Sequence, residues 1–280
     1  MNALEIKNLT KHYKSFTLKD LSLTLPGGCI MGLVGENGAG KSTTIKLILD
    51  IIKSDSGTVT VLGRDNRTQS HLIKEDIGVV FDEPGFPLCM NAAQIGKVLS
   101  MTFANWDSAM YSGLLKKFDL PLDKEFKAFS RGMKMKLSIA AALSHNAKLL
   151  LLDEPTGGLD PVVRDEIVDI LFNFTRDDEH SILISSHIVS DLEKLCDYIA
   201  FLHNGELLLC DEKDKLLSDY ALVRCTHEQF IQLPPAAIFR KKHTPYYIDA
   251  MMLRRDIPSD FTAFPITIED LFLFMVKEGE

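Results

Sequence analysis

The run GENGAGKST, Gly35 to Thr43, sets three glycines ahead of Lys41 and Ser42 in the pattern GxxxxGK[ST]. Such a loop turns backbone N–H groups inward around phosphate, so Gly35, Asn37, Gly38, Ala39 and Gly40 form the cradle, followed by Thr43. Lys41 then reaches the β- and γ-phosphates of a nucleotide, and the Ser42 hydroxyl is a hard oxygen ligand for Mg²⁺. Farther along, LLLLDE ends a leucine run with two carboxylates. Asp153 is suited to holding Mg²⁺ through water, and Glu154 to polarising a water for in-line attack. His187, after SILISS, stands at another strand end, from which it can donate a hydrogen bond to the γ-phosphate. Each feature also has a plain alternative: a tight glycine turn with no ligand, a solvated turn before Pro155, and a structural histidine. Their occurrence together in one chain favours the chemical reading of the loop and the carboxylates.

These residues need a scaffold that brings strand ends together. LEIKNLT and LKDLSLTL read as short strands, and a Pro-Gly-Gly turn at 26–28 leads into the apolar run CIMGLV. That run feeds the glycine loop, and the helix-like TTIKLILDII follows it, which is how a phosphate loop is built. SDSGTVTVLG is a turn and strand, and IGVVFD a buried-strand candidate ahead of an irregular stretch with Pro84, Gly85 and Pro87. From Asn91 to Ser144 the sequence is helix-rich. AKLLLLDEP predicts a central strand buried on both faces, as parallel sheets require. Asp160 caps a helix with Pro161 in its first turn and an apolar stripe at Val163, Ile167, Ile170, Leu171 and Phe174. SILISSH is the next strand, IVSDLEKLCDYI a helix and AFLHNGELLLCD a hairpin. Strands alternating with helices predict an α/β fold with a mainly parallel sheet.

Within AFSRGMKMKLSIAAAL, Ser130 and Gly132 lie at a helix start where phosphate oxygens can bind. Met133, Leu137, Ala140 and Ala141 follow helical spacing and are expected to pack, leaving Lys134 and Lys136 solvated. Beyond about Ser218 the pattern weakens. Residues 219–280 mix short strands, Pro234-Pro235 and the amphipathic TIEDLFLFMVKEG, and are expected to form a small appended subdomain.

The formal net charge of -8 and sequence pI near 5.5 argue against a protein held to nucleic acid by general charge attraction. The five cysteines are scattered, without zinc spacing, and read as reduced thiols of a cytosolic protein. No secretory signal and no apolar run of spanning length is present, so any membrane role is expected to come through a partner.

The order GENGAGKST, FSRGM, LLLLDEP, GGLD and SSH resembles that of the ATP-binding-cassette (ABC) ATPases, over residues 1 to about 215. The resemblance implies a P-loop NTPase fold with an antiparallel β-subdomain, a helical signature subdomain at about 85–145 within an ATP-binding domain at 1–218, and ATP with Mg²⁺ as cofactors. It implies that Tyr13 stacks on adenine, that Lys41, Ser42, Thr43 and Asp153 hold phosphate and metal, and that Glu154 is the general base. His187 matches the γ-phosphate switch histidine and Asp160 an aspartate that communicates between subunits. Ser130 and Gly132 match the signature that closes over ATP held by a second cassette, in a homodimer or heterodimer. ATP-driven dimerisation would then power transport through separate permease subunits, with this chain on the inner face of the cell membrane.

Three departures stand out. Asp82 replaces the family's usual glutamine, where it could ligate Mg²⁺ or repel the γ-phosphate. Met133 replaces a second usual glutamine, and Arg131 a usual glycine, either as an added anion contact or as a solvated side chain. SRGM, NWD (Asn105 to Asp107) and IEDLFL (Ile268 to Leu273) resemble the ATPase subunits of bacterial drug, peptide-antibiotic and lantibiotic exporters. A soluble ABC-type ATPase acting on ribosomes or DNA is the first alternative, disfavoured by the single cassette, the absence of a heptad-patterned insertion and the acidic pI. A P-loop kinase would leave SRGM, GGLD and SSH without purpose. The tail is read as a stability or dimer-supporting appendage in preference to a ligand-sensing domain.

Overall fold

Strands β1 (Asn2–His12) and β2 (Thr17–Pro26) pair antiparallel, and β3 (Ile30–Val34) runs fully buried into the glycine loop and helix α1 (Lys41–Ile48). The computed structural model, which describes residues 1–176 and 179–276, continues through β4 (Ser56–Val61), β5 (Arg64–Asp65), α2 (Ser70–Glu75) and β6 (Ile77–Val80). Three helices follow: α3 (Ala92–Thr102), capped by an Asn91/Gln94 box, α4 (Ser108–Lys117), capped by Asp107, and α5 (Arg131–Leu143). The chain then alternates β7 (Leu149–Asp153), α6 (Pro161–Phe174), β8 (Ser181–Ser186) and α7 (Val189–Leu195). The hairpin of β9 (Tyr198–His203) and β10 (Glu206–Glu212) precedes α8 (Lys213–Asp219). The last part comprises β11 (Tyr220–Cys225), α9 (His227–Phe230), β12 (Ile238–His243), β13 (Ile248–Leu253), β14 (Ala263–Phe264) and α10 (Ile268–Val276).

The central sheet has the order β10-β9-β3-β8-β7-β6 and is parallel except for the edge pair β9/β10. Successive side chains point to opposite faces, so continuous apolar runs fill two layers. Met31, Leu33, Leu149, Leu151, Leu183 and Leu202 pack toward α1 and the antiparallel sheet β2-β1-β4-β5. Val34, Leu150, Leu152, Ile184 and Phe201 pack on the other side against α5, α6, α7 and α10. Each of these buried leucines contributes roughly 1.5–3 kcal/mol through removal from water, which holds the strand ends, and the site they carry, in fixed register.

Helix α7 is shorter than IVSDLEKLCDYI predicts. It ends at Leu195, Cys196 is extended, and Tyr198 begins β9. A short buried strand and a buried helix end share the same apolar run, and parallel pairing with β3 decides for the strand. The lysines of α5 also depart from expectation. Lys136 Nζ lies 2.6 Å from Glu166 and 5.7 Å from the Phe118 ring centroid, and Lys134 Nζ lies 5.3 Å from that of Phe126. Their aliphatic stems run along apolar surface and deliver the charge to partners from other elements, so neither is simply solvated.

The β9/β10 turn is the two-residue pair Asn204-Gly205, with φ of 47° and 81°. Gly205 N donates to Ala39 O at 3.1 Å, and Lys19 N donates to Gly205 O at 2.9 Å, so this turn backs the phosphate loop. A Cβ on Gly205 would collide with the Thr17 carbonyl oxygen. Gly205→Ala is therefore expected to cost on the order of 3 kcal/mol, combining left-handed backbone strain with overpacking, and to lower the thermal midpoint by several degrees. Thermal denaturation followed by circular dichroism measures this; an unchanged midpoint would show that the turn relaxes freely.

Residues beyond α8 build the antiparallel sheet β12-β13-β11-β14, with its own small core of Val223, Leu233, Ile248, Ala250 and Met252. Helix α10 leaves that sheet and returns to the main core, where the Phe272 ring lies 5.4 Å from that of Phe201. The tail sheet thus has a small core of its own, while α10 ties this part of the chain to the main core. The end of TIEDLFLFMVKEG, from Lys277, lies outside the described residues.

Candidate functional site

The glycine loop joins the end of β3 to α1, whose N-cap is Gly40, with no side chain capping the first turn. The first N–H groups of that turn lack intrahelical partners and face an incoming anion together with the positive end of the helix dipole. Gly40 has φ +112°, and a Cβ there would stand 2.9 Å from Phe16 Cζ. Asn37 and Gly38 are exposed, Ala39 is buried, and Ser42 and Thr43 are partly buried in the first turn of α1. Lys41 is only 6% exposed. Its ammonium donates to Gly35 O at 2.7 Å and to Glu36 O at 3.2 Å, and lies 3.1 Å from Glu154 Oε1.

Glu154 is the hub. Its other oxygen, Oε2, lies 2.7 Å from His187 Nδ1 and accepts from His187 N at 3.3 Å. The carboxylate therefore bridges the phosphate-loop lysine and the histidine that follows β8. Its backbone has φ +52°, a conformation that non-glycine residues rarely adopt and that surrounding contacts must hold. Glu154 N donates to both Ser185 O and Ser185 Oγ at 3.1 Å, while Ser185 Oγ donates to Asp153 Oδ1 at 2.6 Å. One buried hydroxyl thus holds the Asp153 carboxylate and the backbone that carries Glu154. Ser185 was not singled out from sequence; the signal available was a small polar residue at the end of an otherwise apolar buried strand, two positions before His187.

A second group gathers at two helix starts. The Ser130 hydroxyl caps α5 by accepting from Met133 N at 3.3 Å, and Asp160 caps α6 by accepting from Val163 N at 3.1 Å. Gly132 faces Val163 and Leu159, so the two helix starts lie side by side. Asp82 does not stand alone: its Oδ1 is 2.5 Å from Arg131 Nη2. Two of the three departures from the family pattern thus meet in one ion pair.

Tyr13 is 44% exposed, and its ring lies 6.4 Å from that of Phe16 and 5.8 Å from Lys11 Nζ. Phe16, also not singled out from sequence, is the aromatic in contact range of the phosphate loop, with Tyr13 as its outer neighbour. A residue adjacent in space but 24 positions and two strands before Gly40 in the chain leaves no local pattern by which to find it.

A family model described as ABC transporter matches residues 18–157. The lantibiotic transport ATP-binding protein SrtF of Streptococcus pyogenes is 37% identical over 214 residues, covering 75% of this chain and 91% of that protein. The ABC transporter ATP-binding protein YtrB of Bacillus subtilis (strain 168) is 27% identical over 287 residues, covering 96% of this chain and 97% of that one. A solved structure of an ATP-binding subunit of an ABC transporter has a TM-score of 0.68 at 27% identity, covering 76% of this chain and 91% of its own.

Proposed function

This chain belongs to the ABC transporter family as an ATP-binding, ATP-hydrolysing subunit, and from that premise we propose that it powers export of peptide-antibiotic-like compounds through separate membrane-spanning chains. Glu154 carries the chemistry: its carboxylate sits between Lys41 at 3.1 Å and His187 at 2.7 Å, at adjoining ends of parallel strands beside the phosphate loop. Lys41 offsets charge on the terminal phosphates. Glu154 accepts a proton from the attacking water, and His187 steadies that carboxylate and the γ-phosphate.

The donor set suits Mg²⁺, a hard cation that favours carboxylate, hydroxyl, water and phosphate oxygens. Among the described residues no cluster of three acidic, histidine or cysteine side chains could hold a metal by itself. Ser42 and Asp153 would therefore hold the ion together with nucleotide oxygens, and it would supply charge neutralisation there. Ser185, bonded to Asp153 Oδ1, fixes that carboxylate for the task.

The exposed helix starts at Ser130 and Asp160 are the surface on which a second cassette, the same chain or another, would close over ATP. Membrane-spanning chains must be separate from the residues described, since no helix among them is long and apolar enough to cross a bilayer. Their docking face is the apolar groove of about 470 Å³ lined by Leu49, Ile51, Phe81, Phe86, Leu99 and Phe103. Docked there, they would keep this chain on the cytoplasmic face. SrtF, by its name a lantibiotic transport protein, supports a peptide cargo.

Affinity purification from detergent-solubilised membranes tests the assignment. A multi-spanning chain is expected to co-purify, and ATP hydrolysis by the pair in proteoliposomes is expected to rise with peptide antibiotic. Ile51→Asp, at a groove residue 56% exposed, is expected to lower recovery of that chain about tenfold, equivalent to roughly 1.4 kcal/mol. Recovery of the chain without any membrane-spanning partner would overturn the transporter assignment.

A further inference from the structure

Resting on the ATPase reading above, we infer that Arg131, oriented by Asp82, is a positioning residue that sets the turn from Glu154 to Gly158 and through it the Glu154 carboxylate. Arg131 is the first residue of α5, where a positive charge opposes the helix dipole, so its placement needs another partner. Asp82 supplies it at 2.5 Å, from the segment that follows β6.

Held this way, the guanidinium lies against the turn that follows Glu154. A Cβ on Gly158 would stand 3.1 Å from Arg131 Nη1 and 3.2 Å from Cζ, and one on Gly157 would stand 3.7 Å from Nη2. Gly158 has φ +65° and Glu154 φ +52°, so both ends of this short turn use left-handed backbone. Gly157 N donates to Glu154 O at 3.1 Å and closes it. Ser185 pins the turn at its start through Glu154 N, and Arg131 covers its far end. A strained backbone persists only where its surroundings over-determine it, and here the contacts come from β8 on one side and α5 on the other. Asp82, 49 residues from Arg131 in sequence, thus acts on the geometry of Glu154 without reaching it.

Both partners are about half exposed, with side-chain exposures of 53% for Arg131 and 46% for Asp82. The pair is consequently screened by salt, and its effect on turnover is a matter of severalfold.

A double-mutant cycle on the full chain tests the inference, with kcat and KM for ATP measured at low and high ionic strength for the parent, Asp82→Asn, Arg131→Gln and both together. Each single change is expected to lower kcat about twofold to fivefold, with KM little altered. The double variant is expected to be no worse than either single one. Raising salt is expected to bring the parent toward the variants. Additive losses, or a changed KM at constant kcat, would overturn the coupling. A Mg²⁺ half-saturation altered by Asp82→Asn irrespective of residue 131 would place Asp82 on the metal and overturn it too. If the parent itself hydrolyses no ATP, the ATPase reading falls with it; if the parent turns over normally and only the cycle is additive, the coupling alone fails.

Discussion

Glu154→Gln is expected to lower ATP turnover about 10²- to 10⁴-fold, the range general-base catalysis supplies, while ATP binding survives. The amide keeps the size and one oxygen of the carboxylate but cannot take a proton from water. It also loses the negative charge between Lys41 at 3.1 Å and His187 at 2.7 Å, so the lysine becomes freer to face phosphate. ATP should therefore persist in the variant, and a pair of cassettes closed over it should accumulate. Phosphate release and size-exclusion chromatography with and without ATP measure the two effects. Turnover near that of the parent would remove Glu154 from the role of base.

Lys41→Ala is expected to act one step earlier. The buried ammonium serves Gly35 O, Glu36 O and Glu154, so its removal leaves two loop carbonyls and a carboxylate without their cation. Truncating one partner of a buried charged pair typically costs about 2–5 kcal/mol, and the lost phosphate contact adds to this. Nucleotide affinity should fall about 100-fold or more, corresponding to at least roughly 2.7 kcal/mol, and turnover with it. Titration with a fluorescent ATP analogue reads the affinity. The contrast between the variants is the informative result: Glu154→Gln separates turnover from binding, whereas Lys41→Ala loses both. Unchanged affinity in Lys41→Ala would mean that the loop backbone alone holds the phosphates.

The phosphate loop and the carboxylate pair are local strings whose chemistry depends on neighbours within a few positions, and they are legible in the sequence itself. So are the central strands, because a run as short as LLLLD, bounded by turn residues, suits a strand buried between two apolar layers. What escaped was everything set by distant partners. Ser185 bonds Asp153 across 32 positions and Asp82 meets Arg131 across 49, and neither distance leaves a periodicity to read. The left-handed backbone of Glu154 was hidden for a related reason, since nothing about a glutamate announces positive φ. Residue type alone predicts Lys134 and Lys136 as solvated, whereas their stems run along apolar surface and their charges meet partners on other elements. Helix α7 ends earlier than its apolar pattern predicts because one apolar run serves two elements.

The return of α10 to the main core bears on the order in which the molecule can fold. Phe201 lies in β9, within the central sheet, yet one of its aromatic neighbours is Phe272, which is synthesised 71 residues later. Of the elements described, α10 leaves the ribosome last. Until then the surface formed by Phe201 and α7 has only part of its cover, and a nascent cassette whose phosphate loop is already complete still exposes an apolar seam. Closing that seam joins residues far apart along the chain, a kind of contact that forms slowly. Completion of the central core is thereby tied to arrival of the C-terminal helix, so a chain arrested before α10 would present exposed aromatic surface to chaperones and proteases.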